Sequence, residues 1–63
     1  MTFCEATQLL YKNEKVCRHS WPSFKYVWIS NEDILTIDEK GEEIFFSPKA
    51  FDLRASDWKP YAV

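Results

Sequence analysis

Aromatic residues are unusually frequent for so short a chain: three Trp, three Tyr and five Phe occur among 63 residues. A chain of this length forms one domain, here residues 1–63, and it buries only a modest fraction of its surface. Its hydrophobic core is therefore too thin to enclose all of these large rings. Some of them must line a pocket or a contact between subunits, and we expect a homo-oligomer.

The charge balance and the lack of a long apolar run argue against two classes of partner. Eight Lys and Arg residues stand against ten Asp and Glu residues, which gives a formal net charge of −2. A sequence-independent DNA binder needs a basic surface that displaces counterions, and a DNA mimic needs a dense acidic one. A membrane-spanning helix needs about 20 consecutive apolar residues, and the sequence contains no such run. We expect neither a nucleic acid polymer nor a membrane as the partner.

Cys4 and Cys17 are the two cysteines of the chain. No secretory signal precedes them, which favours a reducing cytosol in which thiols stay unpaired and behave as small hydrophobic groups. A structural zinc site needs about four ligands, more than these cysteines and His19 supply. We expect free thiols, no bound metal or cofactor, and a cytoplasmic location.

The first residues predict an amphipathic helix. Thr2 and Glu5 have the spacing of a capping box, in which each side chain bonds the backbone amide of the other residue. Apolar side chains then recur with the period of a helix at Phe3, Ala6, Leu9 and Leu10. The sequence therefore predicts a helix over residues 3–12, followed by a polar turn.

The rest of the chain predicts a small antiparallel sheet and a short second helix. Strands are predicted at residues 16–18, 24–29, 34–37 and 43–46, because apolar residues alternate there or turn-forming residues flank the segment. Gly41 can adopt the positive φ of a hairpin turn over residues 38–41. Ser47 and Pro48 predict a helix over residues 48–54, and Pro60 confines a last strand at 57–61 to a sheet edge. The predicted fold class is α+β.

The residue types give little support for catalysis. His19 is the single histidine, with Ser20 and Ser23 near it. A Ser–His pair also needs an orienting acid and an oxyanion hole, and neighbours in a turn seldom align as nucleophile and base. The acidic residues cluster at turns, where solvated charge is usual, and no glycine-rich phosphate loop is present. We expect that the protein is not an enzyme.

Four consecutive residues fit ligand binding better. Arg18, His19, Ser20 and Trp21 bring a guanidinium, an imidazole, a hydroxyl and an indole together. Arg can hold a phosphate through two parallel hydrogen bonds, and an aromatic face stacks on a base. The alternative remains open at this point: a Trp before a Pro is often a core residue, and an Arg is often a surface charge.

The ordered pattern of the whole chain resembles the phage Thoeris anti-defence sponge family, the second type described. The resemblance is carried by residues 1–59 and by these segments in order: Thr2-Phe3-x-Glu5-Ala6, Leu9-Leu10, Lys15-Val16-x-Arg18-x-Ser20-Trp21-Pro22 and Asp57-Trp58. It implies a small α+β fold that assembles as a dimer or a tetramer. It also implies that the protein sequesters a cyclic nucleotide signal, a cyclic ADP-ribose isomer or a cyclic oligonucleotide, without cleaving it in the host cytoplasm.

The same resemblance assigns the candidate ligand-binding residues. Trp21 and Arg18 correspond to the pocket aromatic and its basic neighbour in the family, while Phe3 and Trp58 are weaker candidates with a structural alternative. A different function is also consistent with the surplus of aromatic side chains, because such residues are enriched at protein interfaces. That alternative is a phage inhibitor that binds a host or defence protein directly, as anti-CRISPR proteins do.

Overall fold

The structure is a computed structural model that describes residues 1–61. It contains two helices and five strands, in the order α1 Phe3–Tyr11, β1 Val16–Arg18, β2 Val27–Ser30, β3 Asp33–Ile37, β4 Glu43–Phe45, α2 Ala50–Arg54 and β5 Trp58–Pro60. This confirms the predicted α+β fold with its N-terminal helix, antiparallel sheet and short second helix. Neither of these two helices has the length and the apolar character that a membrane span requires.

The five strands form one antiparallel sheet in the order β4-β3-β2-β1-β5. β2, β3 and β4 are consecutive and form a meander, while β5 returns to pair with β1 through Val16–Pro60, Cys17–Lys59 and Arg18–Trp58. The last strand therefore lies at an edge, as Pro60 predicts. Since β1 and β5 are far apart in sequence, this pairing brings the two ends of the chain together.

The capping box of α1 is formed as the sequence predicts. The amide of Glu5 donates to Thr2 Oγ1 (3.2 Å), and the amide of Thr2 donates to Glu5 Oε1 (2.9 Å). The hydrogen bonds that the amide and the hydroxyl of Thr2 donate to the Glu5 carboxylate lower the pKa of Glu5. The helix ends at Tyr11, one residue before the predicted end, because Asn13 adopts a left-handed conformation with φ 64°.

The core lies between α1 and one face of the sheet. Its fully buried members are Ala6, Leu10, Val16, Val27 and Trp58. Trp58 closes one end of this core. Its indole Nε1 donates to the carbonyl of Asp52 in α2 at 2.9 Å, so the side chain lies against that helix. We call the side of the sheet that carries Val16 and Val27 the helix face.

The opposite side of the sheet carries no helix within residues 1–61. Side chains alternate along a strand, so residues next to the buried Val27 and Thr36 point to this second side. We call it the open face, and its apolar members are Tyr26, Trp28, Leu35, Ile37 and Phe45.

Two predicted boundaries were wrong by two residues or more. The strand predicted at 24–29 begins only at Val27, because the amide of Lys25 donates to the carbonyl of Pro22 (3.0 Å) and holds residues 22–25 in a turn. The second helix begins at Ala50 rather than at Pro48. The Asp52 carboxylate accepts from the amide of Lys49 at 3.0 Å and fixes the start of the helix there.

Candidate functional site

The predicted binding residues lie at the end of β1 and in the loop that follows it. Arg18 is the last residue of β1, and its carbonyl accepts from the amide of Trp21 at 3.1 Å, which turns the chain sharply. The amide of His19 donates to the carbonyl of Asp57 at 2.9 Å, so the start of the loop is held beside β5. His19 and Ser20 are exposed, and Trp21 is half-buried.

Arg18 is held by two carboxylates. Its Nε donates to Asp57 Oδ1 at 2.9 Å, and its Nη1 donates to Asp52 Oδ1 at 3.0 Å. The hydrogen bond that Arg18 donates to Asp57 is the main cause that raises the pKa of Arg18, and the same bond lowers the pKa of Asp57. Asp57 Oδ2 also accepts from the amide of Ser20 at 3.3 Å. Arg18 therefore ties β1, α2 and the β5 side of the sheet together.

Trp21 joins the core to the surface. Its ring meets Trp58 and Phe46 in edge-on contacts, with centroid distances of 5.2 and 6.0 Å. The Nζ atom of Lys25 lies 4.8 Å from the centroid of the Trp21 ring, which is the geometry of a cation–π contact. The ring is thus half-buried and in contact with aromatic neighbours and with Lys25.

The two weaker candidates lie inside the protein. Trp58 has only 2% of its surface exposed, and the Phe3 ring packs on it at a centroid distance of 5.2 Å. These contacts place Phe3 and Trp58 in the packing between α1 and β5, behind the ring of Trp21.

A cleft of about 260 Å³ brings three of the predicted residues together. Arg18, His19 and Trp21 line it, together with Lys59 and Tyr61 from the β5 side. The remaining wall is formed by Cys17, Pro22, Ser23 and Pro60. None of these lining residues carries a carboxylate, so the cleft offers basic and aromatic groups. We call it the basic cleft.

A second cleft of about 480 Å³ lies on the other side of Trp21. It is formed between the loop after β1 and the hairpin turn, and its charged residues are Lys25, Asp38, Glu39 and Lys40. Gly41 ends that turn with φ +80°, as the sequence predicts. We call it the hairpin cleft. It is larger than the basic cleft, but its two acidic residues make it less suited to an anion.

Comparison with known families identifies the chain. The model of the Thoeris anti-defense 2-like domain matches residues 1–61. The chain belongs to the Thoeris anti-defense 2-like family. This confirms the resemblance drawn from the ordered motifs, and it supports a role against the Thoeris defence. No curated protein matches the chain.

Sequence reasoning missed two residues of the basic cleft in this Thoeris anti-defense 2-like domain. Lys59 and Tyr61 reach the cleft because β5 pairs with β1, a contact between distant parts of the chain. The spacing of Lys59 and Tyr61 places both on one face of a strand, which is the signal available in the sequence. The tyrosine is further fixed by its hydroxyl, which donates to the carbonyl of Ser23 at 3.1 Å.

The described part of the domain offers charged groups, aromatic rings and two thiols. Within residues 1–61, no cluster of three or more His, Cys, Asp or Glu side chains has the geometry to hold a metal ion. Cys4 and Cys17 are free thiols, the first exposed and the second buried. Burial raises the pKa of the Cys17 thiol, and nearby Lys59 partly opposes that change.

Proposed function

We propose that this protein is a phage anti-defence protein that sequesters a cyclic nucleotide immune signal without cleaving it. The signal is a cyclic ADP-ribose isomer or a cyclic oligonucleotide, captured in the host cytoplasm before it activates the defence effector. The observation that supports this most is the basic cleft, where Trp21 and Tyr61 lie beside His19, Arg18 and Lys59. Membership of the Thoeris anti-defense 2-like family supports the same role.

The polar and charged groups of the basic cleft suit the phosphates of such a ligand. His19 and Lys59 are exposed, so their ring and ammonium groups are accessible to an anion. Arg18 is bound through Nε and Nη1, and among the hydrogen bonds within residues 1–61 its Nη2 has none. A guanidinium anchored in this way can present its remaining N–H groups in a fixed direction. This planar geometry matches the oxygens of a phosphate.

The aromatic side chains suit the base. Stacking of a base on an aromatic ring contributes about 1–3 kcal/mol by alanine substitution. The edge-on contacts of Trp21 with Trp58 and Phe46 hold its ring in place, so little side-chain entropy is lost when a base stacks on it. Ser20 lies next to Trp21 and offers a hydroxyl at the rim.

A second subunit is part of this proposal. Small-molecule pockets have volumes of about 300–1,000 Å³ and enclose most of the ligand, whereas the basic cleft measures about 260 Å³ in one chain. A sponge must outcompete a sensor, which requires a dissociation constant near nanomolar, or about −12 kcal/mol. A site shared by two copies of the chain, in a dimer or a tetramer, encloses more of the ligand than one chain can.

Binding without cleavage follows from the surroundings of His19. Its described hydrogen bond is made by its backbone amide, and within residues 1–61 no hydrogen bond links its imidazole to a serine or a carboxylate. A general base needs such an orienting partner and a nucleophile within reach. We therefore propose that the bound nucleotide leaves the protein intact.

The decisive experiment is a thermal shift screen with a panel of cyclic ADP-ribose isomers and cyclic dinucleotides. We expect one or more of them to raise the melting temperature, since a ligand that binds only the folded state stabilises it by mass action. The ligand released by heating should then co-elute with the starting nucleotide in chromatography. Absence of any shift across the panel would overturn sequestration, and a hydrolysed product would show an enzyme.

Two matched variants test which cleft holds the nucleotide. His19→Ala removes an imidazole from the basic cleft, and Lys40→Ala removes an ammonium group from the hairpin cleft; both side chains are exposed. We expect His19→Ala to weaken binding about tenfold or more and Lys40→Ala to leave it near the wild-type value. The opposite result would place the ligand in the hairpin cleft and remove the main support for the proposal.

A second candidate function, direct inhibition of a host or defence protein, is favoured by a different observation. On α2, Phe51 is 81% exposed and Leu53 is 53% exposed, and exposed aromatic groups are common at protein interfaces. If this function is the relevant one, Phe51→Ser abolishes protection of the phage in infected cells while His19→Ala retains it. Sequestration predicts the reverse.

A further inference from the structure

The open face of the sheet is an ordered surface rather than a scatter of apolar residues. The strand registers place its side chains in two rows that cross all five strands. The first row runs from β4 to β5 as Phe45, Leu35, Trp28, Lys15 and Tyr61. The second row runs in the same direction as Glu43, Ile37, Tyr26, Cys17 and Lys59.

Aromatic contacts tie these two rows together. The ring of Tyr26 lies 5.1 Å from that of Trp28 and 4.6 Å from that of Tyr61, measured between centroids. The Nζ atom of Lys15 lies 4.7 Å from the centroid of the Tyr26 ring. The middle of the open face is therefore a continuous aromatic layer, which shields the buried Cys17 beneath it.

The fold leaves this layer uncovered. α1 packs on the helix face through Ala6 and Leu10, and α2 lies on the same face, where Asp52 contacts Arg18 and Trp58. Phe45 remains 70% exposed at the β4 end of the first row. Within residues 1–61, no helix is left that could cover the open face.

The charges of the second row have opposite signs at its two ends. Glu43 lies on the β4 edge and Lys59 on the β5 edge, and both are exposed. Two copies stacked about a two-fold axis parallel to the strands place the β4 edge of one copy over the β5 edge of the other. Glu43 then faces Lys59 twice, and Phe45 faces Tyr61 twice. An axis across the strands would instead place each edge over itself, so that Glu43 meets Phe45 or Glu43 of the second copy and never Lys59.

We infer that the open face is the self-association surface of this protein, occupied by a second copy of the same chain about a two-fold axis parallel to the strands. β2 is the middle strand of the sheet, so Trp28 of each copy meets Trp28 of the other near the axis. Such a contact is isologous, the arrangement that closes a dimer.

The size of the surface fits this occupant. The domain measures 26 by 24 Å along its two longest axes, so the projected area of the face is at most about 620 Å². Stable complexes bury roughly 800 Å² of accessible surface on each partner, and an uneven face has more accessible surface than its projection. The interface has an aromatic centre and charged ends, the usual division between core and rim.

This interface gives the geometry of the homo-oligomer in the proposed function, and it depends on that proposal for the presence of a second copy. In this arrangement the β4 edge of the second copy lies beside Lys59, at the rim of the basic cleft. The second copy would therefore border the nucleotide site without filling it.

Charge reversal provides the test, with mass measured by light scattering in the absence of nucleotide. We expect Glu43→Lys and Lys59→Glu each to raise the dimer dissociation constant at least tenfold, because each change creates two like-charge contacts per dimer. The double variant should return to near the wild-type value, and an equimolar mixture of the two single variants should form a heterodimer. Glu14→Lys and Lys40→Glu make the same charge changes at exposed turn positions and serve as controls.

Three outcomes would overturn the inference: a monomeric wild-type protein, single variants that associate like the controls, or a double variant as weak as the single ones. If Glu43 and Lys59 instead each faced their own counterpart across an axis perpendicular to the strands, the single variants would associate like the wild type, which is the second of these outcomes. Melting temperatures of the unliganded variants report whether each one is folded. The nucleotide screen on the wild type is read separately, so a failed interface leaves the proposed sequestration standing, and a failed screen leaves the interface standing.

Discussion

The two faces of the sheet have similar apolar content and different environments. On the helix face, Val16 and Val27 are fully buried beneath α1. On the open face, Trp28 and Leu35 are half-buried and Phe45 is mostly exposed. Because both sets lie on the same strands, the sheet has two apolar sides and the chain supplies helices for one of them. The difference shows that a chain of this length completes one layer of its core and leaves the other side available for association.

The largest effect is expected on the helix face. Leu10→Ala removes a side chain that is 2% exposed and leaves a cavity, which should lower the free energy of unfolding by about 2–5 kcal/mol. Denaturant unfolding of the wild type and the variant measures the difference. A loss below about 1 kcal/mol would mean that α1 is not packed on the sheet as described.

The next effect concerns the ion pairs that hold the edge of the helix face. Asp57→Asn keeps the shape of the side chain and removes the charge that Arg18 contacts at 2.9 Å. The folded-state pKa of Asp57 lies below its ordinary value of 3.8, so the ionised carboxylate stabilises the fold above that value and its contribution disappears as the pH falls through the folded-state pKa.

The melting temperature of Asp57→Asn should therefore lie below that of the wild type at pH 7, and the difference should shrink as the pH falls below about 4. Asp33→Asn makes the same change at an exposed carboxylate that forms no ion pair within residues 1–61 and serves as the control. A difference that is constant with pH would show that the charge of Asp57 does not stabilise the fold.

On the open face, a comparable truncation should hardly affect the stability of one chain. Phe45→Ala removes a large side chain that is 70% exposed, and surface substitutions usually change the free energy of unfolding by no more than about 0.5 kcal/mol. Sedimentation equilibrium should instead detect weaker self-association. A large loss of monomer stability with unchanged association would remove the contrast between the two faces.

The smallest expected effect concerns the difference in reactivity between the two thiols. The thiolate is the reactive form; Cys4 is exposed, whereas Cys17 is buried and its pKa is raised. Mass spectrometry after brief alkylation should find Cys4 modified first, and Cys17 modified at a rate that follows opening of the aromatic layer. Equal rates at the two positions would show that Tyr26 and Tyr61 do not cover Cys17.

Much of the fold could be predicted because its signals are local. The capping box fixes the start of α1 through hydrogen bonds three residues apart, and Gly41 supplies a backbone conformation that the hairpin turn requires. Pro60 restricts its strand to an edge because it lacks an amide hydrogen. The boundaries that were wrong, at Val27 and Ala50, depend on where a turn and a carboxylate come to lie in the folded chain.

The sequence by itself also predicted binding chemistry for the Arg18–Trp21 segment, and it determined the resemblance to the Thoeris anti-defense 2-like family, which the family match confirms. Only the tertiary structure decided which partners these residues have. Pairing of β1 with β5 brings Lys59 and Tyr61 into the basic cleft, places Asp52 and Asp57 on Arg18, and draws Trp58 into the core. The physical reason is that these contacts join residues far apart along the chain, such as Arg18 and Asp52, which are separated by 34 positions, where neither spacing nor periodicity in the sequence carries information.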